Sequence, residues 1–375
     1  MEKRKWENIN VETSLLGFGA MRLKTINNEI DEEKGFALFD KAYSNGVNYF
    51  DTAMPYTNGL NEKFVGKALK RYPRESFYLA TKCSFMAFNT KEEFEGILDK
   101  QLENLQTDYI DFYLMHALSR ERLKQIKEWN MMETVKRWKE EGKIKHIGFS
   151  FHDDYDAFVE ILNYFDWEFC QIQLNYIDQN IQQGIKGYYD LEKRGIPVVI
   201  MEPVKGGKLA KFNPAVEKIF KDYNSEASIA SWAFRWLGSL PGVKVILSGM
   251  NEMDQLDDNL KTFDKFEFLN IEEYEKIDEA CRMIKTLEKV GCTRCEYCMP
   301  CPAGVNIPGC FRIYNQYGMY NDENDFIWQV DNYEKNKKGP SSCVECGRCV
   351  DRCPQGINVP LELKKMKDEA MKLKG

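Results

Sequence analysis

The stretch Tyr49-Phe50-Asp51-Thr52-Ala53-Met54-Pro55-Tyr56 joins an apolar run to a carboxylate, and a phenol follows five residues after that carboxylate. Three later apolar runs also end in a polar residue, namely Lys82, His116 and Ser150, at successive intervals of 31, 34 and 34 residues. This period indicates repeated strand–helix units whose strand ends share one mouth. We therefore interpret residues 51–56 as the centre of an active site.

The first 265 or so residues alternate strand-like and helix-like patterns. Eight strands are predicted, over 15–21, 48–53, 77–83, 109–116, 144–150, 170–176, 196–201 and 243–247. Eight strand–helix units in about 250 residues are typical of a closed (β/α)₈ barrel, the TIM-barrel class of α/β fold. The alternative is an open doubly wound sheet, but Gly17-Phe18-Gly19 supplies only the first half of its glycine fingerprint. We predict the barrel over residues 1–285.

Composition excludes several classes of function. The net charge of −7 provides no basic field that would attract nucleic acid. The basic start 1–6 is not followed by the apolar segment of a secretory signal. No apolar run approaches the roughly 18 residues that a transmembrane helix needs. We expect a cytoplasmic protein with no membrane or nucleic-acid partner.

Cysteines are concentrated near the carboxyl terminus. Of the twelve, only Cys83, Cys170 and Cys281 precede residue 290, and we expect these three to be buried as small apolar side chains. The other nine lie between Cys292 and Cys353. A secreted disulfide scaffold would be short and would lack the long cysteine-poor body, so metal or cluster binding is the better explanation. We place a second domain over residues 286–375.

The polar strand ends suit the reduction of a carbonyl group. Protonating a carbonyl oxygen needs an acid that is available near neutral pH, whereas a free phenol titrates near 10. An ammonium group from Lys82 beside Tyr56 is expected to lower the phenol pKa, with Asp51 holding the lysine. A shift of two to three units corresponds to roughly 3–4 kcal/mol. His116 would orient the substrate carbonyl or assist proton delivery.

Three stretches resemble the aldo/keto reductase superfamily: Phe50-Asp51-Thr52-Ala53 with Tyr56, Gly59 and Glu62, then Ala80-Thr81-Lys82, and then Tyr113-Leu114-Met115-His116. The resemblance covers roughly residues 10–265. It implies a catalytic tetrad of Asp51, Tyr56, Lys82 and His116, and the reduction of a carbonyl to an alcohol by hydride from NAD(P)H. Tyr56 would be the proton donor. Each residue alone also has a structural explanation, but three residues at strand ends together with Tyr56 in the loop after the second strand favour catalysis.

The same resemblance implies a dinucleotide site. Its expected contacts are Ser150 and Gln173 on the carboxamide and Ser248, Gln255 and Asn259 near the adenosine. Two family positions differ here: Phe151 replaces a common asparagine, and Met201 replaces a common aromatic residue. No lysine or arginine lies between Ser248 and Leu260 to pair with a 2′-phosphate, so the sequence does not favour NADPH over NADH.

Two cysteine runs dominate the second domain: Cys292-x2-Cys295-x2-Cys298-x2-Cys301-Pro302 and Cys343-x2-Cys346-x2-Cys349-x3-Cys353-Pro354. The second has the spacing of bacterial two-cluster ferredoxins, whose fourth cysteine serves the other cluster. Thiolates two residues apart favour a cubane over a zinc ion, which more often uses two separated pairs.

The cysteine runs resemble a ferredoxin-type domain over about residues 286–360, which implies two 4Fe–4S clusters. The sequence after Cys301 echoes the sequence after Cys353, and this repeat supports pairing the runs. The implied ligand sets are Cys292, Cys295, Cys298 and Cys353 for one cluster, and Cys343, Cys346, Cys349 and Cys301 for the other. Cys310 is a fallback ligand because the first run is one residue shorter.

The two domains leave three hypotheses for function. The first is a nicotinamide-linked carbonyl reductase whose clusters are structural or regulatory. In the second, a ferredoxin or another electron donor feeds the clusters, and a bound flavin or the nicotinamide carries two electrons in the barrel. The third is a non-catalytic redox-sensing module. For a small carbonyl substrate, Phe85, Phe88 and Trp129 are candidates for the walls of the pocket, and core packing is the alternative explanation of each.

Overall fold

Eight parallel strands close into a barrel in the computed structural model, which describes residues 1–374. In chain order they are β1 (Leu16–Gly19), β2 (Tyr49–Asp51), β3 (Tyr78–Cys83), β4 (Ile110–Leu118), β5 (Ile144–Phe151), β6 (Phe169–Gln173), β7 (Val198–Met201) and β8 (Val243–Ser248). Each strand pairs with the next, and β8 closes onto β1 through Ile246 and Leu16. The predicted (β/α)₈ barrel is confirmed.

An antiparallel hairpin of Lys3–Trp6 and Val11–Ser14 precedes the barrel, and the sequence patterns did not predict it. Trp6 is fully buried, and its ring centre lies 4.8 Å from that of Phe112. Its indole nitrogen donates a hydrogen bond to the hydroxyl of Thr13 at 2.8 Å. Trp6 packs against the amino-terminal parts of the strands, so their carboxyl ends remain for the polar residues.

The helices between the strands follow the predicted alternation. They are Glu32–Ser44, Asn61–Leu69, Lys91–Glu95, Ile97–Leu105, Arg120–Trp129, Met131–Glu140, Tyr155–Leu162, Gly184–Lys193, Ile229–Gly238 and Met253–Asp264. Gly96 separates the helices Lys91–Glu95 and Ile97–Leu105. A short antiparallel pair, Thr25–Ile26 with Glu29–Ile30, follows β1.

The chain divides into two compact units, one of Met1–Gly207 with Ala230–Ile271 and one of Lys208–Ile229 with the residues from Glu272 onward. The helices of the second unit are Pro214–Tyr223, Ile271–Thr286, Ile307–Tyr320, Glu323–Lys335, Arg348–Asp351 and Val359–Lys374. The boundary near residue 285 stays a prediction.

The segment after β7 belongs to the cysteine-rich unit because of contacts that the strand–helix alternation does not encode. The ring centres of Phe212 and Tyr320 are 6.1 Å apart, and Lys208 Nζ lies 3.0 Å from a carboxylate oxygen of Asp325. No helix within residues 1–374 is both long and apolar enough to cross a bilayer.

Candidate active site and cluster sites

A buried ion pair lies at the carboxyl ends of β2 and β3. Lys82 Nζ donates to Asp51 Oδ1 at 2.6 Å and to the carbonyl oxygen of Thr52 at 2.8 Å. The side chains of Lys82 and Asp51 are 1% and 4% exposed, so solvent does not screen the pair. Burial acts to lower the pKa of Lys82, but the charge of Asp51 and the interactions with Asp51 and Tyr56 raise it above its ordinary value. Lys82 is therefore a fixed cation.

Tyr56 and His116 lie next to this pair. Tyr56 begins a 3-10 turn, Tyr56–Gly59, in the loop after β2, and the centre of its ring is 5.2 Å from Lys82 Nζ. The rings of Tyr56 and His116 have centres 6.2 Å apart and are nearly perpendicular, at 81°. The structure thus brings together the four residues of the predicted tetrad from β2, β3, β4 and one loop.

The pKa of Tyr56 differs from the expectation drawn from the sequence. Desolvation raises this pKa, and although the charge of Lys82 acts to lower it, the net shift is upward. The effect predicted for Lys82 has the right sign, but the predicted net lowering of the Tyr56 pKa is wrong. The cost of burying a phenolate is larger than the stabilisation that Lys82 gives it. The phenol therefore keeps its proton at neutral pH, which is the form that a proton donor needs.

His116 is held in its neutral form. Desolvation, together with the charges of Lys82, Arg122 and His152, lowers the pKa of His116 to about 3. A neutral imidazole donates a hydrogen bond from one nitrogen but has no extra proton to release. Of the two roles considered for His116, orienting the substrate carbonyl is the one that this protonation state supports.

His116 should make stability depend on pH. Its folded-state pKa of about 3 lies below the ordinary 6.5, so between these values only the unfolded chain binds the proton. Stability therefore falls as the pH is lowered through 6.5, by roughly 2 kcal/mol from pH 8 to pH 5. His116→Asn lacks this titrating group, so its free energy of unfolding should fall by roughly 2 kcal/mol less than that of the wild-type protein between pH 8 and pH 5. Urea unfolding followed by tryptophan fluorescence measures both values. Parallel pH profiles for the two proteins would contradict the assignment.

A buried hydrogen-bond network fixes the backbone of β3, and the sequence patterns did not single it out. Glu62 Oε1 accepts from the Thr81 hydroxyl and from Gln101 Nε2, both at 2.7 Å. Gln101 Nε2 also donates to the carbonyl oxygen of Lys82 at 3.1 Å, and the Tyr113 hydroxyl donates to Gln101 Oε1 at 2.7 Å. Glu62 and Thr81 were part of the stretches that resemble the family, and Gln101 was visible as a polar residue on the buried face of an amphipathic helix.

The predicted carboxamide contacts lie on neighbouring strands. Ser150, at the end of β5, accepts a hydrogen bond from the Ala117 amide at 2.6 Å. The Gln173 side chain, at the end of β6, accepts from Gln182 Nε2 at 3.0 Å. The hydroxyl proton of Ser150 and the amide nitrogen of Gln173 are thus left to donate to a ligand.

The predicted adenosine contacts follow β8. Asn259 Nδ2 donates to the Ser248 hydroxyl at 2.9 Å, so these two buried side chains form one group. Gln255 is exposed on the helix Met253–Asp264, and its side-chain oxygen accepts from the Asn251 amide at 3.0 Å. The structure brings Ser248 and Asn259 into direct contact, with Gln255 one turn away from Asn259 on the same helix.

Folding brings cations to the segment after β8, which contains none of its own. Lys24 and Lys34 both form ion pairs with Glu252. The side chain of Arg22 runs beside Gly249: a Cβ atom there would lie 3.2 Å from Arg22 Cγ. The sequence expectation considered residues 248–260 alone and therefore did not include these side chains from the loop after β1 and from the helix Glu32–Ser44.

Two cavities in the second unit are bordered by thiols. One, of about 380 Å³, is lined by Cys298, Cys301, Cys343, Cys346 and Cys349. The other, of about 20 Å³, is lined by Cys292, Cys295, Cys298 and Cys353. Each quartet implied by the sequence borders a single cavity. The larger cavity has room for a cubane. The smaller one holds little more than one water molecule, so the assignment of a cluster to it depends on the four thiols that line it.

The thiols also act on one another electrostatically. Burial raises the pKa of Cys349, and the nearby Cys343, Cys301 and Cys346 of its own quartet raise it further. Burial also raises the pKa of Cys298, to about 11, with contributions from Cys292 and Cys295 of its own quartet and from Cys349 of the other. Such thiols give up their protons when they ligate a metal, so binding a cluster would release protons.

Cys310 does not belong to either thiol group. It is fully buried in an apolar core with Phe311 and Ile313, borders neither cavity, and its Sγ lies 3.6 Å from the carbonyl oxygen of Lys338. Burial raises the pKa of Cys310 to about 12. Within residues 1–374, no three His, Cys, Asp or Glu side chains are close enough together to hold a single metal ion.

The remaining three cysteines lie outside the second domain's thiol groups. Cys83 and Cys170 are fully buried, as expected, whereas Cys281 is only partly buried.

These features define a (β/α)₈ oxidoreductase with polar residues at its strand ends and a cysteine-rich carboxyl-terminal part. The chain belongs to the aldo/keto reductase family, whose sequence profile matches residues 15–282. A profile for a 4Fe–4S dicluster domain matches residues 291–357.

Individual relatives agree with this assignment. L-galactose dehydrogenase of Arabidopsis thaliana is 25% identical over 295 residues, which cover 73% of this chain and 91% of that protein. NADH-specific methylglyoxal reductase of Escherichia coli is 27% identical, over 56% of this chain and 69% of that protein. Among solved structures, an aldo-keto reductase from Bacillus halodurans in its holo form has a TM-score of 0.63 at 26% identity, over 75% of this chain and 96% of its own.

Proposed function

We propose that the barrel reduces the carbonyl group of a small molecule to an alcohol with hydride from a nicotinamide dinucleotide. The observation that carries the proposal is the fixed Lys82 cation, 2.6 Å from Asp51 and 5.2 Å from the centre of the Tyr56 ring. A protonated phenol beside a fixed cation can give up its proton in the transition state, because the cation stabilises the negative charge that develops on the phenol oxygen.

Each residue of the tetrad has a separate task in this proposal. When bound, NAD(P)H supplies the hydride to the carbonyl carbon. Tyr56 donates its proton to the carbonyl oxygen, and the resulting phenolate is stabilised by Lys82 until a solvent proton replaces the one transferred. Asp51 holds Lys82 in place. His116, which is neutral, donates a hydrogen bond to the carbonyl oxygen and so fixes its orientation.

Ser150 and Gln173 would bind the carboxamide of the dinucleotide, and Ser248, Asn259 and Gln255 would bind its adenosine side. The relatives support this class of cofactor, because one of them is named as NADH-specific. Lys24 and Lys34 both pair with the single carboxylate of Glu252, which offsets one of their two positive charges. For this reason both NADH and NADPH need to be assayed.

We further propose that the two cysteine quartets hold two 4Fe–4S clusters that pass electrons. Cys295 and Cys346 are exposed, so each cluster would have one ligand facing solvent. This exposure favours, as a second candidate function, a reductase supplied with electrons by a ferredoxin through the clusters, with a flavin in the barrel. Thiolate ligands need a reducing compartment, which is consistent with the cytoplasm.

One anaerobic preparation separates these functions. Metal analysis should find about eight irons per chain, and reduced protein should show the EPR signals of 4Fe–4S clusters. We expect an aldehyde to be reduced with NADH or NADPH alone. Bound flavin, or turnover only with reduced viologen, would favour the ferredoxin-linked function. Iron near zero with stoichiometric zinc would overturn the cluster assignment.

A further inference from the structure

Arg122 lies over the end of β4, close to the catalytic group. It belongs to the first turn of the helix Arg120–Trp129, and its Nη1 donates to the carbonyl oxygens of His116 at 3.0 Å and of Ala117 at 2.5 Å. Its guanidinium carbon is 5.4 Å from the centre of the half-exposed Phe85 ring. The guanidinium is thus held in one position beside the residue that would orient the substrate.

No carboxylate among residues 1–374 forms an ion pair with this guanidinium, although the charge of the adjacent Glu121 acts on it at longer range. Within residues 1–374, Arg122 has no acidic oxygen within 4.0 Å, and its Nε and Nη2 make no hydrogen bond. An arginine remains charged at any physiological pH. Its neighbour Arg120, in contrast, is exposed and pairs with Asp154 at 3.3 Å.

The electrostatic surroundings of His116 are positive. Desolvation and the charges of Lys82 and Arg122 lower the pKa of His116, and no carboxylate acts in the opposite direction. The charge of Arg122, together with desolvation, also lowers the pKa of His152. His152 Nδ1 lies 3.2 Å from Gln182 Nε2, the atom that donates to Gln173. An anion is therefore attracted to the side of the mouth between His116 and His152.

The phosphates of a dinucleotide do not account for this cation. The proposed adenosine contacts Ser248 and Asn259 follow β8, which lies opposite β4 in a barrel of eight strands. Arg22, whose side chain runs beside Gly249, is an arginine on that side. An anion bound by Arg122 would thus belong to the substrate and not to the dinucleotide.

We propose that Arg122 determines substrate specificity by binding a carboxylate, so that the substrates are oxo acids, meaning aldehydes or ketones that carry a carboxylate group. The inference rests on the proposed carbonyl reduction. The carbonyl lies between Tyr56 and His116, and the carboxylate lies against the free Nε and Nη2 edge of Arg122. Two parallel N–H···O bonds from a guanidinium fork match the two oxygens of a carboxylate.

A matched pair of substrates tests this proposal: 4-carboxybenzaldehyde carries a negative charge, and its methyl ester replaces that charge by one methyl group. The variant Arg122→Gln keeps a donor for the backbone carbonyls of His116 and Ala117 but removes the charge. We expect its kcat/KM for the acid to fall about 10- to 100-fold, mainly through KM, with the ester changed by less than about twofold. Arg120→Gln should leave both values unchanged. An equal fall for both aldehydes in Arg122→Gln, or no fall for the acid, would overturn the proposal.

Calorimetric binding separates this proposal from the proposed reaction itself. If the wild-type protein reduces neither aldehyde with NADH or NADPH, the proposed reaction fails for these two substrates. The role of Arg122 is then tested by the affinity of the protein for the two alcohol products. We expect 4-(hydroxymethyl)benzoate to bind at least about tenfold more tightly than its methyl ester, and the difference to disappear in Arg122→Gln. Equal affinities of the two alcohols for the wild-type protein would overturn it.

Discussion

Replacing Cys301 by alanine should halve the iron content of the chain, from about eight to about four atoms. The cluster that is lost should be the one assigned to Cys343, Cys346 and Cys349. Cys301 is the last cysteine of the first run, yet it borders the same cavity as Cys343, Cys346 and Cys349. A cubane that loses one of four thiolates in this half-open site is expected to be lost. The measurement is colorimetric iron with EPR of the reduced protein, in which coupling between two clusters should disappear.

Cys310→Ala is the matched control, because Cys310 is the fallback ligand and lies in the same unit. It is packed in the apolar core and borders neither cavity, so iron should stay at about eight atoms. The reverse pattern, in which Cys310→Ala loses iron and Cys301→Ala does not, would make Cys310 the fourth ligand. Cys353→Ala offers the reciprocal test, since it should remove the cluster of Cys292, Cys295 and Cys298.

Tyr56→Phe should lower kcat for carbonyl reduction about 10²- to 10⁴-fold, the range expected for loss of a general acid. The substitution removes one hydroxyl from a partly exposed loop residue and leaves the Lys82–Asp51 pair in place. Affinity for the nicotinamide dinucleotide should therefore change by less than about twofold. Steady-state kinetics and fluorescence titration of the dinucleotide measure the two quantities separately.

Tyr155→Phe is the control for this substitution, because the Tyr155 hydroxyl donates to Asp190 on the outer helices, away from the tetrad. Its kcat should match that of the wild-type protein. If Tyr56→Phe retained full activity, Tyr56 would not be the proton donor, and the hypothesis of a non-catalytic redox-sensing barrel would gain support.

The barrel and the tetrad were predictable because both depend on local patterns. One strand-length apolar run per unit, followed by one helical period, was enough to indicate eight strands. A polar residue at each strand end becomes a neighbour of the others once the strands close, and this is how Lys82 reaches Asp51. The two cysteine quartets implied by the ferredoxin-type resemblance each border one cavity, and their role as cluster ligands stays a prediction.

Other features depend on tertiary contacts that no local pattern records. The hairpin around Trp6 consists of two four-residue strands, too short for a reliable alternation. The net pKa shift of Tyr56 depends on the degree of desolvation, which the order of residues does not reveal. In the sequence, Arg122 is one of several charged residues in a helix. The structure is needed to show that its guanidinium donates a hydrogen bond to the carbonyl oxygen of His116.

The most direct test of the central claim, hydride transfer in the barrel, follows isotopes under anaerobic conditions. NADH and NADPH, each dideuterated at C4 of the nicotinamide, are supplied with 4-carboxybenzaldehyde, and the alcohol is analysed by mass spectrometry and NMR. The proposed mechanism predicts one deuterium on the former carbonyl carbon of every product molecule. An alcohol whose new C–H hydrogen comes from solvent would contradict it, because a carrier that exchanges with water would then stand between the nicotinamide and the substrate.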